Sequence, residues 1–304
     1  MPRTFDHAVI CVSDLDRASA TYRSLGFTLT PQGVHPFGTR NVLAQFAGRN
    51  FLELLAIGDL DAIVPHELPE RFSFSAHNQD FLRQNGEGMS MLVFAGQDAR
   101  ADVEAFRAAG LDTFEPFDFG RTAKLPDGTL AQVAFSLAFV TNPQMPGMAF
   151  FTCQQRHAPE LFWKPQYQRH ANRAERLVEI VISAPEPMMF RDFFGRLTGS
   201  QVIADADGAR LSVGTQSDRI SILTPQRLRR RFPEVESDAL SASMRTPRFV
   251  ALRIVVADLG TTRRLLEEGN VPHRFAEGSI VVRPGAAHGV ALEFVHEPAP
   301  TGSP

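Results

Sequence analysis

HAVICVSDLDRASATYRSLGF, residues 7–27, reads as strand, capped helix and stop in quick succession. Ala8 to Val12 is an apolar run of strand length, and Ser13-Asp14 offers side-chain acceptors for the first free N–H groups of a helix. Leu15, Ala18, Tyr22 and Leu25 recur at helical spacing until Gly26 ends the run. Strand-like segments from Asn41 to Phe46 and from Phe51 to Ile57 follow.

The same plan returns three times. The second unit has a strand from Met91 to Ala95, a helix carrying Val103, Phe106 and Ala109, then Gly110. Its later strands, Leu130 to Phe139 and Met148 to Cys153, are parted by the turns Asn142-Pro143 and Pro146-Gly147. The third runs from Leu177 through VEIVISA and a helix with Phe190, Phe193, Phe194 and Leu197 to ISILTP; FxxFF at 190–194 is helix-to-sheet packing. The fourth runs from Phe249 through Leu259, Leu265 and Leu266 to Gly269 and ends as GVALEFV. Asp14 to Gly26 and Asp98 to Gly110 both span 12 positions, and Asp258 to Gly269 spans 11, so the register itself repeats. Each unit is βαβββ. A four-stranded sheet with one helix on one face needs cover for the other, which pairing of units supplies. The expected fold is α+β, four βαβββ modules paired into two cup-shaped, barrel-like sheets.

The polar stretch from Gln154 to Ala174, with two prolines and the only tryptophan, is the best boundary. It divides the chain into an N-terminal domain, 1–155, a linker, 156–174, and a C-terminal domain, 175–297. Residues 225–247 are irregular, 59–87 form an insertion, and PAPTGSP at the end is a frayed tail. Leu228-Arg229-Arg230-Arg231 reads as a solvated helix turn.

At 304 residues, 43% hydrophobic and 21% charged, the chain has an ordinary globular composition and length for about two cores. The longest apolar stretch, Ala131 to Val140, is half the length of a membrane span, and Asp6-His7 stands where a signal peptide needs its apolar centre. A cytoplasmic protein with no membrane partner is expected. The net charge of −3 points away from nucleic acid, and Cys11 and Cys153, without CxxC spacing, read as small hydrophobes rather than a disulfide or thiolate site. No phosphate-cradling glycine motif is present, so no nucleotide cofactor is expected. A small-molecule partner remains, with a homodimer possible.

The four-unit pattern, together with HPFGTRN at 35–41, NFLELLAI at 50–57, GRTAKLPDG at 120–128 and RHAPELFW at 156–163, resembles the vicinal oxygen chelate superfamily. That superfamily includes glyoxalases, extradiol dioxygenases and bleomycin or fosfomycin resistance proteins; within it the chain is most similar to the glyoxalase-like domain group. The resemblance implies a divalent metal held by a His or Gln from a unit's first strand and a Glu from its last, with matching residues from the partner unit. His7 and Glu53 stand at the first pair of positions. Met89 or Ser90 and Phe151 or Thr152 stand at the second, and none of these is a good ligand; His157 or Gln154 could substitute. The C-terminal units offer Val178 or Glu179, Ser221, Ala251 and Glu293, not the two histidines and glutamate of an extradiol dioxygenase.

By strand alternation His7 lies with Val9 and Cys11, and Glu53 with Phe51 and Leu55, so both polar groups sit among apolar neighbours. They either hold a metal or form a hydrogen-bonded pair. His35, Thr39 and Asn41 would line the cup and orient a substrate, with Val42, Ala44 and Phe46 on the face opposite Asn41. Arg121, before the hairpin signal Leu125-Pro126-Asp127-Gly128, could clamp a carboxylate, and His157 could contact substrate or act as a base. With 25 phenylalanines against two tyrosines, the cup favours an aromatic or apolar ligand. Three functions stay open: a glyoxalase-like lyase or isomerase acting on adjacent oxygens, with or without a metal; a protein that sequesters an aromatic or drug-like ligand; and a metal-free enzyme using His7 or His157 as general base.

Overall fold

The computed structural model describes every residue except 1, 126–127, 206–207, 213–217, 236–245, 277 and 298–304. The tail and the tip of the 125–128 turn fall outside the described residues. The first unit comprises β1 (Phe5–Cys11), α1 (Leu15–Ser24), β2 (Gly33–Val34), β3 (Thr39–Gln45) and β4 (Phe51–Ile57). The 59–87 insertion carries α2 (Phe74–Asn85). The second unit follows with β5 (Gly88–Gly96), α3 (Ala99–Ala108), β6 (Asp112–Thr113), β7 (Phe117–Lys124), β8 (Leu130–Thr141) and β9 (Ala149–Gln155), and the connecting stretch contains α4 (Pro159–Phe162). The third has β10 (Ala174–Ser183), α5 (Arg191–Thr198), β11 (Val202–Asp205), β12 (Gly208–Ser212) and β13 (Arg219–Leu223), followed by α6 (Pro225–Arg231). The fourth has β14 (Arg248–Val256), α7 (Leu259–Glu268), β15 (His273–Ala276), β16 (Ser279–Val282) and β17 (Ala291–Val295).

Asp14, Asp98 and Asp258 each cap the helix that follows, accepting from backbone N–H groups two or three residues on. Gly26 and Gly110 end their helices with positive φ, but Gly269 keeps a right-handed conformation and Asn270 takes the left-handed one. The turn residue of the fourth unit therefore also lies 12 positions after its cap, which removes the apparent irregularity of the spacing.

The first two units join edge to edge through antiparallel β1 and β5 into a nine-stranded sheet in the order β2-β3-β4-β1-β5-β9-β8-β6, with β7 also on β8. Units three and four join likewise through β10 and β14. The sheets curl, so the fold is the expected pair of cups. Alternation divides the core. Ala8, Ile10, Leu52 and Leu54 of the first sheet and Ile180, Ile182, Leu252 and Ile254 of the second face a shared helix layer, where Phe150 meets Phe194 edge-on at 5.5 Å between ring centroids. Val9, Phe51, Leu55, Val93 and Phe151 line the first cup, while Val181, Ala251 and Val281 line the second.

The connecting stretch is pinned down. Gln45 donates to the Phe162 carbonyl and accepts from the Lys164 N–H, and the His170 ring lies 2.8 Å from the Gln45 carbonyl, which seats Phe162 on the first cup.

Arg231 departs from the expected solvated turn. It bridges Glu179, at 2.7 and 2.8 Å, and Glu293, at 2.9 Å, inside the second cup, where Arg219 and Arg253 also pair with these carboxylates. Its neighbour Leu228 is fully buried. Glu179 and Glu293 lie among apolar neighbours, and α6 delivers the guanidinium that joins both carboxylates and completes the pairing begun by Arg219 and Arg253.

Candidate functional site

Strand register fixes which residues occupy equivalent places. In β1 and β4, His7 pairs with Phe51 and Val9 with Glu53; in β5 and β9, Met91 pairs with Ala149 and Val93 with Phe151. Ala8 opposite Leu92 marks the centre of the β1–β5 pairing, so the two-fold relation between the modules carries His7 onto Met91 and Glu53 onto Phe151. Met91, not Met89 or Ser90, is thus the counterpart of His7. A register shift between Val9 and Ile10 displaces the simple count along the strand. The same places in the second cup hold Glu179, Ser221, Ala251 and Glu293.

The first cup keeps a cavity of about 480 Å³, mouth included, between β1, β3, β4, β7, β8 and β9. Phenylalanines dominate its wall, Phe51, Phe119, Phe135 and Phe151 among them. His7, Glu53, Asn41 and His35 face it, as the middle of a continuous polar chain that Asp6 and Thr39 complete from behind the wall. His7 Nδ1 lies 2.5 Å from Asp6 Oδ1, and His7 Nε2 lies 3.3 Å from Glu53 Oε2. Asn41 Nδ2 donates to Glu53 Oε1 at 2.6 Å and lies 3.4 Å from His35 Nε2, whose Nδ1 is 2.8 Å from Thr39 Oγ1. All six residues of this chain are buried. The His7 ring stacks on Phe51, with centroids 4.3 Å apart and an interplanar angle of 13°.

Asp6 joins because β1 shifts register between Phe5 and His7, which turns two consecutive side chains toward one another. Alternation alone sends Asp6 to the opposite face, so the sequence reading missed it. Gly33 was missed too: a Cβ there would lie 2.5 Å from Asn41 Oδ1 and 3.0 Å from the Arg121 guanidinium carbon, so β2 has to offer a bare backbone. A glycine inside a strand is the available signal for such close approach.

The charges follow. Burial on its own would lower the His7 pKa, but hydrogen bonds to Asp6 and Glu53 outweigh it and hold the imidazolium to about 9. Burial likewise opposes ionisation of Glu53, but the His7 contact and the Asn41 hydrogen bond keep its pKa below the usual carboxylate range. Burial drops His35 to about 4, so at neutral pH it is an uncharged ring.

Arg121 lines the same cavity, while His157 does not. The His157 Nδ1 lies 3.0 Å from the Ala134 carbonyl, its ring meets Phe135 and Phe162, and its Nε2 is buried without a partner. Gln154 accepts from the Ala99 N–H at the start of α3, so it is tied to the helix layer and is no substitute ligand. The structure therefore brings together His7, Glu53, Asn41, His35, Thr39 and Arg121 and leaves His157 to one side.

For a metal, His7 and Glu53 give two donors, and the Asp6–His7 contact is of the kind that orients ligating imidazoles. The two remaining places hold a thioether, Met91, and a phenyl ring, Phe151. Among the described residues no group of three or more His, Cys, Asp or Glu side chains could hold a metal. The donor set does not fit a resident four-coordinate divalent ion.

Residues 5–198 match the glyoxalase-like domain family. Among solved structures, a hypothetical protein from Staphylococcus aureus superposes with a TM-score of 0.67 at 11% identity, covering 96% of this chain and 99% of the other. A mutant 4-hydroxymandelate synthase from Streptomyces coelicolor gives 0.56 at 15%, covering 100% and 95%. The Mn(II)-bound glyoxalase from Novosphingobium aromaticivorans gives 0.54 at 13%, covering 99% and 89%. At these identities the likeness bears on the fold alone. No curated protein matches the chain. No helix among the described residues is long and apolar enough to cross a membrane.

Proposed function

The chain belongs to the glyoxalase-like domain family, and on that premise we propose that its N-terminal cup is the active site of a lyase or isomerase that moves a proton on a small molecule with adjacent oxygens and an apolar body. The observation that carries this reading is the unbroken buried chain Asp6–His7–Glu53–Asn41–His35–Thr39 opening into a phenylalanine-lined cavity. Burying six polar side chains in an apolar cup is costly, and each is satisfied only by the next.

The pair His7 and Glu53 supplies one acid and one base 3.3 Å apart. Glu53 takes a proton from the carbon beside a substrate carbonyl, and the His7 Nε2–H delivers one to the carbonyl oxygen. From the enediol so formed, the Glu53 carboxylic acid returns its proton to the former carbonyl carbon and the neutral His7 imidazole takes the proton of the neighbouring hydroxyl, which becomes the new carbonyl, so the resting ion pair is restored. Each partner's pKa is set partly by the other's charge, so a substrate wedged between them lowers His7 and raises Glu53, bringing both toward the neutral range where proton transfer is effective. Asp6 holds His7 Nδ1–H, Asn41 orients Glu53, and neutral His35, itself held by Thr39, positions substrate oxygen. The phenylalanine wall excludes water.

The apolar lining also favours a second reading, in which the cup sequesters an aromatic ligand without turnover. Deuterium uptake at the hydroxyl-bearing carbon of 2-hydroxyacetophenone in D2O, followed by NMR, separates the two. Exchange faster than buffer and at least about 100-fold slower in Glu53→Gln supports catalysis, a loss in the range of single general-base removals. Saturable binding without exchange supports sequestration instead.

A further inference from the structure

Among the described residues, the guanidinium that faces this cavity, that of Arg121, has no hydrogen-bonded or ion-paired partner. Along β7, alternation places Phe117, Phe119, Arg121 and Ala123 on the cup side, whereas Asp118 turns away to pair with Arg100. Arg121 is largely withdrawn from water, its Nε is buried without a hydrogen-bond acceptor, and no described carboxylate lies within ion-pairing distance of it. An arginine so placed bears the cost of desolvation without the bidentate partner that ordinarily offsets it. Elsewhere the same chain meets that requirement: Arg231, comparably placed in the second cup, is paired twice over.

Arg121 also stands at a junction. It lines both the phenylalanine cavity and an adjoining, more polar pocket that contains Lys164 and Tyr167. Asp6 and Glu53 are balanced by His7 and Arg121, and Lys164 adds one positive charge in the adjoining pocket. We infer that the substrate class of this site is a monocarboxylate with an aromatic or apolar body, its carboxylate held by the Arg121 fork at the mouth while the body lies among the phenylalanines beside His7 and Glu53. This assignment rests on the reading of the cup as the substrate site. Gly33 is part of the device, because any side chain there would occupy the space of the guanidinium and of Asn41. A dianionic group would exceed the charge available.

Trp163, the only tryptophan, packs on Phe162 and Phe51 at 5.2 and 5.8 Å and reports on the cavity by its fluorescence. The test titrates the protein with 3-phenylpropionate and with its neutral isostere 3-phenylpropanamide at pH 7.5. The carboxylate is expected to bind at least about tenfold more tightly than the amide, the effect of a charge-assisted hydrogen bond. Arg121→Gln, with its melting profile checked against wild type, is expected to abolish that preference, the carboxylate losing far more affinity than the amide. Glu53→Gln is expected to retain it. Saturable binding of both probes without preference overturns the anion assignment and leaves the pocket reading standing. Preference that survives in Arg121→Gln places the anion elsewhere and overturns it too. Failure of both probes to bind overturns this inference and the pocket reading together.

Discussion

Replacing Glu53 by glutamine keeps the shape of the cup and removes one of the two anions that hold the His7 imidazolium. In the unfolded chain His7 titrates near 6.5; in the folded protein burial opposes the charge, but Asp6 and Glu53 raise the value to about 9. Between those limits the native state holds a proton that the unfolded state has released. The stabilisation is therefore complete below pH 6.5 and disappears as pH rises through 9. At about 1.4 kcal/mol per pH unit the interval corresponds to about 3 kcal/mol. Urea unfolding of wild type from pH 6 to 10 is expected to show this decline. Glu53→Gln, left with Asp6 alone, is expected to be less stable near pH 6.5 by about half that amount, with the gap closing toward pH 10. A wild-type stability that is flat over this range, or a gap that does not change with pH, refutes the assignment of a charged His7 held by Glu53.

On the acid side His35, His77 and His170 are all pushed down to about 4 by burial, so the unfolded chain takes up protons that the native state refuses. Stability should fall as pH drops from 6.5 toward 4, by about 1.4 kcal/mol per pH unit for each ring, and His77→Gln should reduce the slope measured by urea unfolding. Arg231→Met strands Glu179 and Glu293 in the second cup with fewer partners; a loss of about 3 kcal/mol by the same assay is expected, whereas Arg230→Met, at an exposed position of the same helix, should change stability by less than about 0.5 kcal/mol. Gly33→Ala should leave the melting temperature within a few degrees of wild type yet weaken 3-phenylpropionate binding by about tenfold or more, because its Cβ meets Asn41 Oδ1 and the Arg121 guanidinium.

The repeat was legible because its markers are local. A capping aspartate, a helix of about three turns and a left-handed residue at fixed spacing need no knowledge of distant contacts, and the four units formed as read, Asn270 supplying what Gly269 does not. The polar row of the cup was legible for the same reason: on regular strands alternation is reliable, and it placed His7 with Val9 and Asn41 opposite Val42. Where a strand shifts register the rule fails, as it did for Asp6 and for the counterpart of His7 at Met91. Long-range charge pairing was illegible altogether. Arg231 sits in a run that looks solvated, and its carboxylate partners lie 52 positions before and 62 positions after it. Nor could the lone sequence show that Gln154 is tied to α3 or that His157 lies behind Phe135 and Phe162 rather than in the cavity wall, since both depend on how β8, β9 and the connecting stretch pack.

The account's central claim is that His7 and Glu53 form a proton-carrying pair rather than a pair of metal ligands. It is tested most directly by metal analysis of protein purified without chelator and without a metal-affinity step, in parallel with His7→Ala and Glu53→Ala. The account predicts metal far below one equivalent in all three, with 3-phenylpropionate affinity of the wild type unchanged by chelator. Near-stoichiometric metal in the wild type, lost in both variants, would contradict it.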